Sequence, residues 1–262
     1  MDQSTKVDIE NNETLFCSLW TSLISIRNCA EIFFNKNLCC DYFFNRWNIL
    51  CSNNVKSTIE ETIDIFLKMK INCCIYISEN RKYRTSNLEK LLIKKGFSHI
   101  DSLQTMILYT NDTRNLNLKT YAERKYQSIG IIENDKVSRD LWCELFCRSF
   151  NVFQWKYELK KIVDNNFNRL ILLASYLENT PVGCCALFEH DNILGLYCLG
   201  TLHSFRHAGF ASKMILRCLE IARERGFNFI ILQTFESEKL VEFYLKNKFE
   251  ALYTKKLYAL IT

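Results

Sequence analysis

One short segment, RHAGFA from Arg206 to Ala211, most constrains what this chain can fold into. It joins an apolar run with the pattern of a strand, Ile193 to Leu202, to an amphipathic helix predicted from about Phe210 to Arg225. A loop with a glycine where a strand turns into a helix directs several backbone N–H groups at one point, at the positive end of the helix dipole. The segment therefore predicts a strand–loop–helix unit that binds a phosphate group.

The distribution of glycine and proline points to the same region. The chain of 262 residues holds seven glycines and one proline, and five of the glycines and Pro181 fall between residues 181 and 226. A chain that avoids these residues elsewhere uses them where the backbone geometry demands them. We therefore expect the functional geometry in that stretch.

Composition and charge bound the function classes. The hydrophobic content of 48% indicates a globular protein with a sizeable core. Lys and Arg number 34 against 29 Asp and Glu, and the scattered net charge of +5 does not indicate a nucleic-acid partner. The apolar stretch from Leu15 to Phe34 is interrupted by Arg27 and Glu31 and lacks a basic leader and a cleavage site, so we predict neither a signal peptide nor a membrane span.

Thirteen cysteines raise the question of a metal site. Six of them form adjacent pairs in apolar runs, where neighbouring side chains of a strand point to opposite faces and cannot chelate together. Cys143 and Cys147 are four residues apart on a predicted helix, but no histidine or second cysteine pair stands near them in sequence. We predict no metal, and we interpret the cysteines as small buried hydrophobes in a reducing, cytoplasmic compartment.

The second half of the chain alternates strands and helices in order. Three apolar runs joined by tight turns predict an antiparallel meander, and a helix, a buried strand, a helix capped by Ser237 and a closing strand follow it. A short strand and a helix precede the meander. The predicted bounds are 128–133, 137–150, 170–177, 182–189, 193–202, 210–225, 227–233, 237–246 and 249–261.

The first 110 residues repeat part of this plan. A strand at 71–77, a helix at 86–95 and a strand at 103–109 are predicted there, and the helix end Leu91–Phe97 is similar to Phe243–Phe249. Residues 43–61, where an equivalent phosphate loop should fall, contain no glycine. We predict a polar N-terminal tail at 1–14, a degenerate domain without the phosphate loop at 15–110, a linker at 111–125 and a domain with the phosphate loop at 126–262.

Residues 126–262 resemble the GNAT superfamily of acyl-CoA-dependent N-acyltransferases. The resemblance rests on the motif Arg206-x-x-Gly209-x-Ala211, on Gly200-Thr201-Leu202 before it, on the preceding meander, and on Tyr244-x-x-x-x-Phe249 in the last helix. It implies an α/β fold with a mixed sheet, and it makes the N-terminal half similar to the degenerate GNAT-like half of two-domain members.

The resemblance implies acetyl-CoA as the acyl donor. The amides of about His207 to Ser212 would hold the CoA pyrophosphate, Arg206 would begin the loop and contact phosphate, and the backbone of Leu199 to Leu202 would pair with the pantetheine arm. A bulge near Gly200 would aim one N–H at the thioester oxygen. The implied cofactor-binding residues are Leu199, Gly200, Thr201, Leu202, Arg206, His207, Ala208, Gly209, Phe210, Ala211, Ser212 and Ser237.

The implied reaction is direct attack of a primary amine on the thioester, with Tyr244 as the general acid that protonates the leaving thiolate. Three positions depart from the family pattern: Ser237 stands where many relatives have asparagine, Lys248 replaces a glycine, and His203 replaces a proline. The acceptor is either a small molecule or a peptide amine.

The general base stays open. Relatives that use a strand carboxylate carry it in the strand before the loop, and Ile193 to Leu202 contains none. The nearest alternatives are Glu189, His190 and Tyr197, and none of them is preferred.

Other interpretations also stay open. The alternative function is a non-catalytic acyl-CoA-sensing or protein-interaction module with a GNAT fold, favoured by the missing carboxylate and by Ser237. Tyr244 is either the general acid or a core aromatic. Phe153 and Trp155 either line an acceptor pocket or pack in the core.

Overall fold

The computed structural model describes residues 3–26, 28–38, 41–50, 54–78, 85–111, 129–133 and 137–260. These residues form a mixed α/β structure. The helices are α1 (Gln3–Trp20), α2 (Val55–Met69), α3 (Thr85–Lys94), α4 (Arg139–Phe150), α5 (Lys156–Asn166), α6 (Phe210–Glu224) and α7 (Val241–Lys246). The strands are β1 (Ser22–Ile26), β2 (Ala30–Phe34), β3 (Arg46–Ile49), β4 (Cys73–Ser78), β5 (Phe97–Tyr109), β6 (Ile129–Glu133), β7 (Leu170–Leu177), β8 (Thr180–His190), β9 (Ile193–Thr201), β10 (Phe229–Phe235) and β11 (Glu250–Leu260).

The chain divides into two compact units. The first comprises Met1–Thr105, Thr234–Val241 and Leu252–Thr262, and the second comprises Met106–Gln233 and Glu242–Ala251. This division differs from the predicted domains because the last strand groups mainly with the first unit. Residues 112–125 of the predicted linker lie outside the described residues. The functional domain bounds 15–110 and 126–262 stay a prediction.

The first unit contains a sheet in the order β1-β2-β3-β4-β11-β5. Strands β1, β2 and β3 pair antiparallel, and β3 then pairs parallel with β4, with helix α2 as the crossover between them. The apolar core of this unit is formed by both α2 and the sheet, since Ile59 and Phe66 of α2 pack with Trp47 and Ile75 of the strands. The sheet neighbour of β4 comes from the end of the chain, because Leu257 of β11 pairs with Tyr76.

Helix α1 enters the core of the first unit with charged side chains. Glu13 accepts hydrogen bonds from Arg46 Nη1 at 2.7 Å and from Lys255 Nζ at 2.6 Å, and all three side chains are buried. Burial opposes ionisation of Glu13, but Lys255 and Arg46 outweigh it and lower the pKa of the carboxyl group. The predicted polar tail, 1–14, therefore differs from the structure: helix α1 begins at Gln3, and three polar residues of this segment, Glu10, Asn12 and Glu13, are buried.

The second unit contains strands in the order β10-β9-β8-β7-β6. The pairs β6·β7, β7·β8 and β8·β9 are antiparallel, which confirms the predicted meander, and β10 pairs parallel with β9. Helices α4 and α6 both pack on this sheet. Trp142 of α4 is fully buried and donates its indole N–H to the Cys185 carbonyl at 2.9 Å, while Cys218 of α6 lies 3.9 Å from the Cys185 sulfur.

The cysteines follow the prediction in part. Nine of those in the described residues are free thiols, and all of them except Cys198 are buried. Cys29 is instead disulfide-bonded, which the reading of every cysteine as a buried hydrophobe did not anticipate. No helix in the described part of the chain is long and apolar enough to cross a membrane.

Candidate functional site

Strand β9 carries a bulge close to Gly200. Gly200 pairs with Cys184 and Tyr197 pairs with Ala186, so two residues of β9 lie opposite one residue of β8. Cys198, the first of those two residues, has a left-handed φ of 56°. The bulge expected near Gly200 is thus present at residues 198 and 199, and it changes the direction of the strand just before the loop.

Beyond the bulge, β9 separates from its parallel neighbour. The register of β10 with β9 consists of Ile230 with Leu194 and Ile231 with Gly195, whereas β9 continues to Thr201. On the opposite edge, β9 stays paired with β8, and the Leu202 N–H donates to the Val182 carbonyl at 2.8 Å. The backbone N–H and C=O groups of successive residues point to opposite edges of a strand. Those of Thr201 therefore point to the edge of β9 that no longer pairs with β10.

Gly200 is required by the close approach of α4. A Cβ atom at this position would lie 2.7 Å from the Ser149 Cβ and 2.9 Å from a ring carbon of Phe150. Neither distance is possible for a real side chain without movement of the helix. The end of α4 therefore covers Gly200 directly.

The segment from Arg206 to Gly209 leads into helix α6 through left-handed backbone. His207 has φ of 61°, and Gly209, the N-cap residue, has φ of 90° and ψ of 0°. The first intrahelical bond runs from the Lys213 N–H to the Gly209 carbonyl at 3.0 Å, so the preceding amides have no acceptor within the helix. The first turn contains no acidic residue. This geometry suits an anion, since amides and helix dipole are not countered by a carboxylate.

Aromatic packing holds this loop against the sheet. Phe210 is 1% exposed and clusters with Val182, together with the partly buried Phe205 and Ala208. The rings of Phe205 and Phe210 meet edge to face at 6.1 Å. The loop is thus anchored at both of its ends by apolar side chains.

Arg206 binds protein carbonyl groups. Its Nε donates to the Thr201 carbonyl at 3.2 Å and its Nη2 donates to the Ser149 carbonyl at 2.9 Å. Ser149 lies in the last turn of α4, where a cation interacts favourably with the helix dipole. The side chain therefore ties α4 to the end of β9, and a phosphate contact by Arg206 stays a prediction.

Tyr244 lies in the short helix α7 and is 6% exposed. Its ring contacts Phe243 and Phe249 at centroid distances of 5.1 and 5.7 Å. Both the loop and Tyr244 belong to the second unit. The aromatic contacts fit the core interpretation, and the role as general acid stays a prediction.

Ser237 belongs to the first unit, whereas the other predicted site residues belong to the second. It is part of a 3-10 turn, Glu236–Glu238, rather than the cap of a helix, and its hydroxyl donates to Asp101 Oδ2 at 2.6 Å. The predicted helix start at 237 is therefore wrong, because α7 begins at Val241. A cofactor contact by Ser237 stays untested.

Two of the candidate bases lie at the far end of the strand pair. Glu189 pairs with Leu194 and His190 with Ile193, so Glu189 stands about 20 Å from Gly200 along β9. Glu189 also forms an ion pair with Arg225. Tyr197 is closer, at about 10 Å along the strand.

The two predicted acceptor-pocket residues lie in the segment between α4 and α5 and differ in exposure. Trp155 is 7% exposed and belongs to the core, whereas Phe153 is 56% exposed. Among the residues that the structure describes, no group of three His, Cys, Asp or Glu side chains could hold a metal ion.

Sequence comparison decides the family. The family model described as "Acetyltransferase (GNAT) family" matches residues 136–249, which span the meander, the loop and Tyr244. This match identifies a GNAT-family domain in the second half of the chain. No curated protein matches the sequence significantly.

Solved structures share the fold of this protein over most of the chain. A GCN5-related N-acetyltransferase from Kribbella flavida is 12% identical with a TM-score of 0.70, over 96% of this chain and 93% of its own. A conserved protein of unknown function from Staphylococcus epidermidis is 16% identical with a TM-score of 0.66, over 91% and 93%. A tandem GNAT protein from the clavulanic acid biosynthesis pathway is 8% identical with a TM-score of 0.57, over 82% and 74%.

One residue near the GNAT loop has no signal in the sequence. Ser149 is 5% exposed, and its hydroxyl has no hydrogen-bond partner among the residues that the structure describes. A serine in the last turn of an amphipathic helix is ordinary. Only the contact of α4 with Gly200 distinguishes it.

Proposed function

We propose that this protein is an N-acetyltransferase that transfers an acetyl group from acetyl-CoA to a primary amine by direct attack. The single observation that supports this most is the succession of a bulged strand that leaves its neighbour and a loop with left-handed residues at His207 and Gly209. A strand edge suits an extended ligand with amide groups, and the amides at the start of α6 suit a pyrophosphate. These are the two chemical features of the CoA chain.

In this proposal the acyl donor lies along the edge of β9 from Leu199 to Leu202, and its pyrophosphate meets the amides from His207 to Ser212. The amine nitrogen attacks the thioester carbonyl carbon, and an electron pair moves to the oxygen beside Gly200. The attacking nitrogen releases its extra proton to water, and the tetrahedral species expels the thiolate as the carbonyl group re-forms. The thiolate takes a proton from Tyr244, which water then reprotonates. Because a thiol has a pKa near 8.5, this proton makes a modest contribution at neutral pH.

The acceptor must lose a proton before it attacks. A lysine-like amine with a pKa near 10.4 costs about 4.6 kcal/mol to deprotonate at pH 7, whereas an α-amine near 7.8 costs only about 1.2 kcal/mol. With Glu189 far from Gly200 and bound to Arg225, an acceptor of low pKa is the better match. In this proposal the exposed Phe153 lines the acceptor pocket. We also propose that the protein acts in the cytoplasm and has no nucleic-acid partner.

A non-catalytic acyl-CoA sensor is the second candidate. One observation favours it: Glu189 and His190 of β8 pair with the start of β9, whereas the bulge lies near its end. A sensor needs the donor site but no base, so binding and turnover separate the two functions.

The test begins with thermal unfolding in the presence of acetyl-CoA. A specific ligand at 100 times its dissociation constant stabilises the folded protein by about 2.7 kcal/mol. No shift at millimolar acetyl-CoA would contradict both candidates. Given a shift, thiol release is measured across a panel of α-amines, lysine-like amines, peptides and aminoglycosides; release supports the enzyme, and silence across the panel supports the sensor.

A further inference from the structure

The hydroxyl group of Ser149 stands over the bulged end of β9. A Cβ atom built on Gly200 would lie 3.2 Å from Ser149 Oγ, which places this oxygen less than about 5 Å from the Gly200 Cα. Ser149 is 5% exposed. The hydroxyl is therefore almost fully buried, and it lies beside the backbone of Gly200, where the thioester binds in the proposed function.

This hydroxyl lacks a hydrogen-bond partner in the described part of the protein. A serine in a helix can bond to the carbonyl four residues earlier, but Ser149 does not. Leaving a buried hydroxyl without a partner costs about 1–3 kcal/mol. An acyl donor placed beside Gly200 would complete the hydrogen bonding of this hydroxyl.

Arg206 fixes the position of Ser149. The guanidinium group joins the Ser149 carbonyl to the Thr201 carbonyl, at 2.9 and 3.2 Å, so that the end of α4 and the end of β9 are held together. Arg206 thus positions Ser149 through the carbonyl oxygen and leaves the hydroxyl group available. A preorganised donor of this kind needs no rearrangement when a negative charge develops near it.

A second buried hydroxyl, Ser175, provides a comparison. It too has no partner in the described residues, and it lies directly opposite Gly183 on the neighbouring strand. A Cβ on Gly183 would lie 2.7 Å from the Gly200 carbonyl oxygen, 2.8 Å from Ser175 Oγ and 3.5 Å from Met214 of α6, whereas a Cβ on Gly200 would lie against α4. Ser175 is therefore also near the Gly200 backbone, but it lies on the α6 side of the sheet and Ser149 lies on the α4 side.

We propose that Ser149 is a further catalytic residue, whose O–H donates a hydrogen bond to the thioester carbonyl oxygen of the acyl donor. This inference rests on the proposed function. When the amine lone pair forms the new C–N bond, the carbonyl electron pair moves to oxygen, and the Ser149 O–H bond strengthens its interaction without losing its proton. The nitrogen then releases its extra proton to water, the electron pair returns as the C–S bond breaks, and the leaving thiolate takes the proton that the proposed function assigns to Tyr244.

The matched pair of variants is Ser149→Ala and Ser175→Ala, since both remove one buried hydroxyl without a partner. We expect neither variant to lower the thermal stability of the free protein, because each loses an unsatisfied polar group. Ser149→Ala should lower kcat about 100-fold with little change in KM for acetyl-CoA, as for the loss of one donor to an oxyanion. Ser175→Ala should keep the wild-type kcat.

A readout without turnover uses the infrared carbonyl band of ¹³C-labelled acetyl-CoA bound to the protein. A hydrogen bond lowers this frequency, so the band should shift upward in Ser149→Ala and stay unchanged in Ser175→Ala. An unchanged band in Ser149→Ala, or an equal change in both variants, would overturn the role of Ser149. A wild type that binds no acetyl-CoA would instead overturn the proposed function, and a wild type that binds without turnover still tests Ser149 through the band.

Discussion

The two halves of this protein contain the same crossover built in two ways. In the first, β3 leads through α2 to the parallel strand β4, and in the second β9 leads through α6 to β10. Both helices have 15 residues and begin after a left-handed residue, Asn54 in the first half and Gly209 in the second. The helix start by itself is therefore common to both halves.

The difference lies in the strand and the loop before the helix. In the second half β9 has a bulge and extends past its last pair with β10, and Arg206 ties the loop to α4. In the first half the left-handed position carries a side chain, that of Asn54. A parallel crossover thus does not make a ligand site unless strand, loop and neighbouring helix are shaped together.

The helix ends that precede the last strand of each half extend this comparison. Gly96 follows α3 with φ of 91°, and Lys248 follows α7 with φ of 69°. The Gly96 N–H donates to the Ile93 carbonyl and the Lys248 N–H to the Leu245 carbonyl, each at 3.0 Å. The same cap is therefore made with glycine in one half and lysine in the other.

The largest effect on the free energy of unfolding is expected from the buried charges, which all belong to the first unit. In the described residues, the buried charged side chains are Glu10, Glu13, Arg46 and Lys255. Glu13→Gln should destabilise the protein by about 3–5 kcal/mol in urea unfolding, because Arg46 and Lys255 lose their countercharge. Glu60→Gln, which breaks an exposed ion pair with Lys95, is the control and should have little effect.

The pH dependence of stability tests the same site. The folded-state pKa of Glu13 is lowered, so its stabilisation is present above the unfolded value near 4.5 and is lost as the pH falls below it. Glu13→Gln should lose less stability than the wild type between pH 7 and pH 3. Equal acid sensitivity in both proteins would contradict the ion cluster as a source of stability.

The next effect separates the two helix starts. Gly209→Glu should abolish the stabilisation by acetyl-CoA, about 2.7 kcal/mol at 100 times the dissociation constant, because it sets a carboxylate against the pyrophosphate. Gly209→Gln introduces the same backbone strain without charge and should keep part of the shift, while Asn54→Glu should keep all of it. Loss of the shift in Asn54→Glu would show that the two starts do not differ as proposed.

A smaller effect, on kcat, is expected at Tyr244. The similar helix end of the first half has Leu92 at the corresponding position. Tyr244→Phe should lower kcat about 10-fold at pH 7, since general acid catalysis is a limited help to a thiolate leaving group. Tyr258→Phe, a buried tyrosine of the first unit, is the control. Unchanged turnover in Tyr244→Phe would leave only the packing role with Phe243 and Phe249.

The smallest effect concerns the two caps. Lys248→Gly should stabilise the protein by about 1 kcal/mol, because a side chain at a left-handed position is strained and Lys248 is exposed. Gly96→Ala should destabilise it by a similar amount, since the new Cβ would also lie 3.2 Å from Leu260. Lys246→Gly, within helix α7, should destabilise and serves as the control for a general effect of glycine.

Much of the local structure was predictable from the sequence. The bounds predicted for β7 are those observed, and helix α6 ends one residue before its predicted end. Period and glycine position are local signals, so they identify elements without knowledge of their partners. The prediction omitted α1 and α2. Helix α1 has little amphipathic pattern and its buried polar residues have distant partners, whereas α2 has an amphipathic pattern as clear as that of α6 that the prediction did not use.

The sequence by itself determined that a strand, a glycine loop and an amphipathic helix follow one another around Arg206 to Ala211, because those signals lie within a few residues of each other. Only the tertiary structure decided that β11 pairs with β4, that Ser237 bonds to Asp101, and that Ser149 lies over Gly200. Each of these contacts joins residues more than 50 positions apart. A strand pattern specifies an element but not its neighbour, and a buried hydroxyl gains its meaning from what covers it.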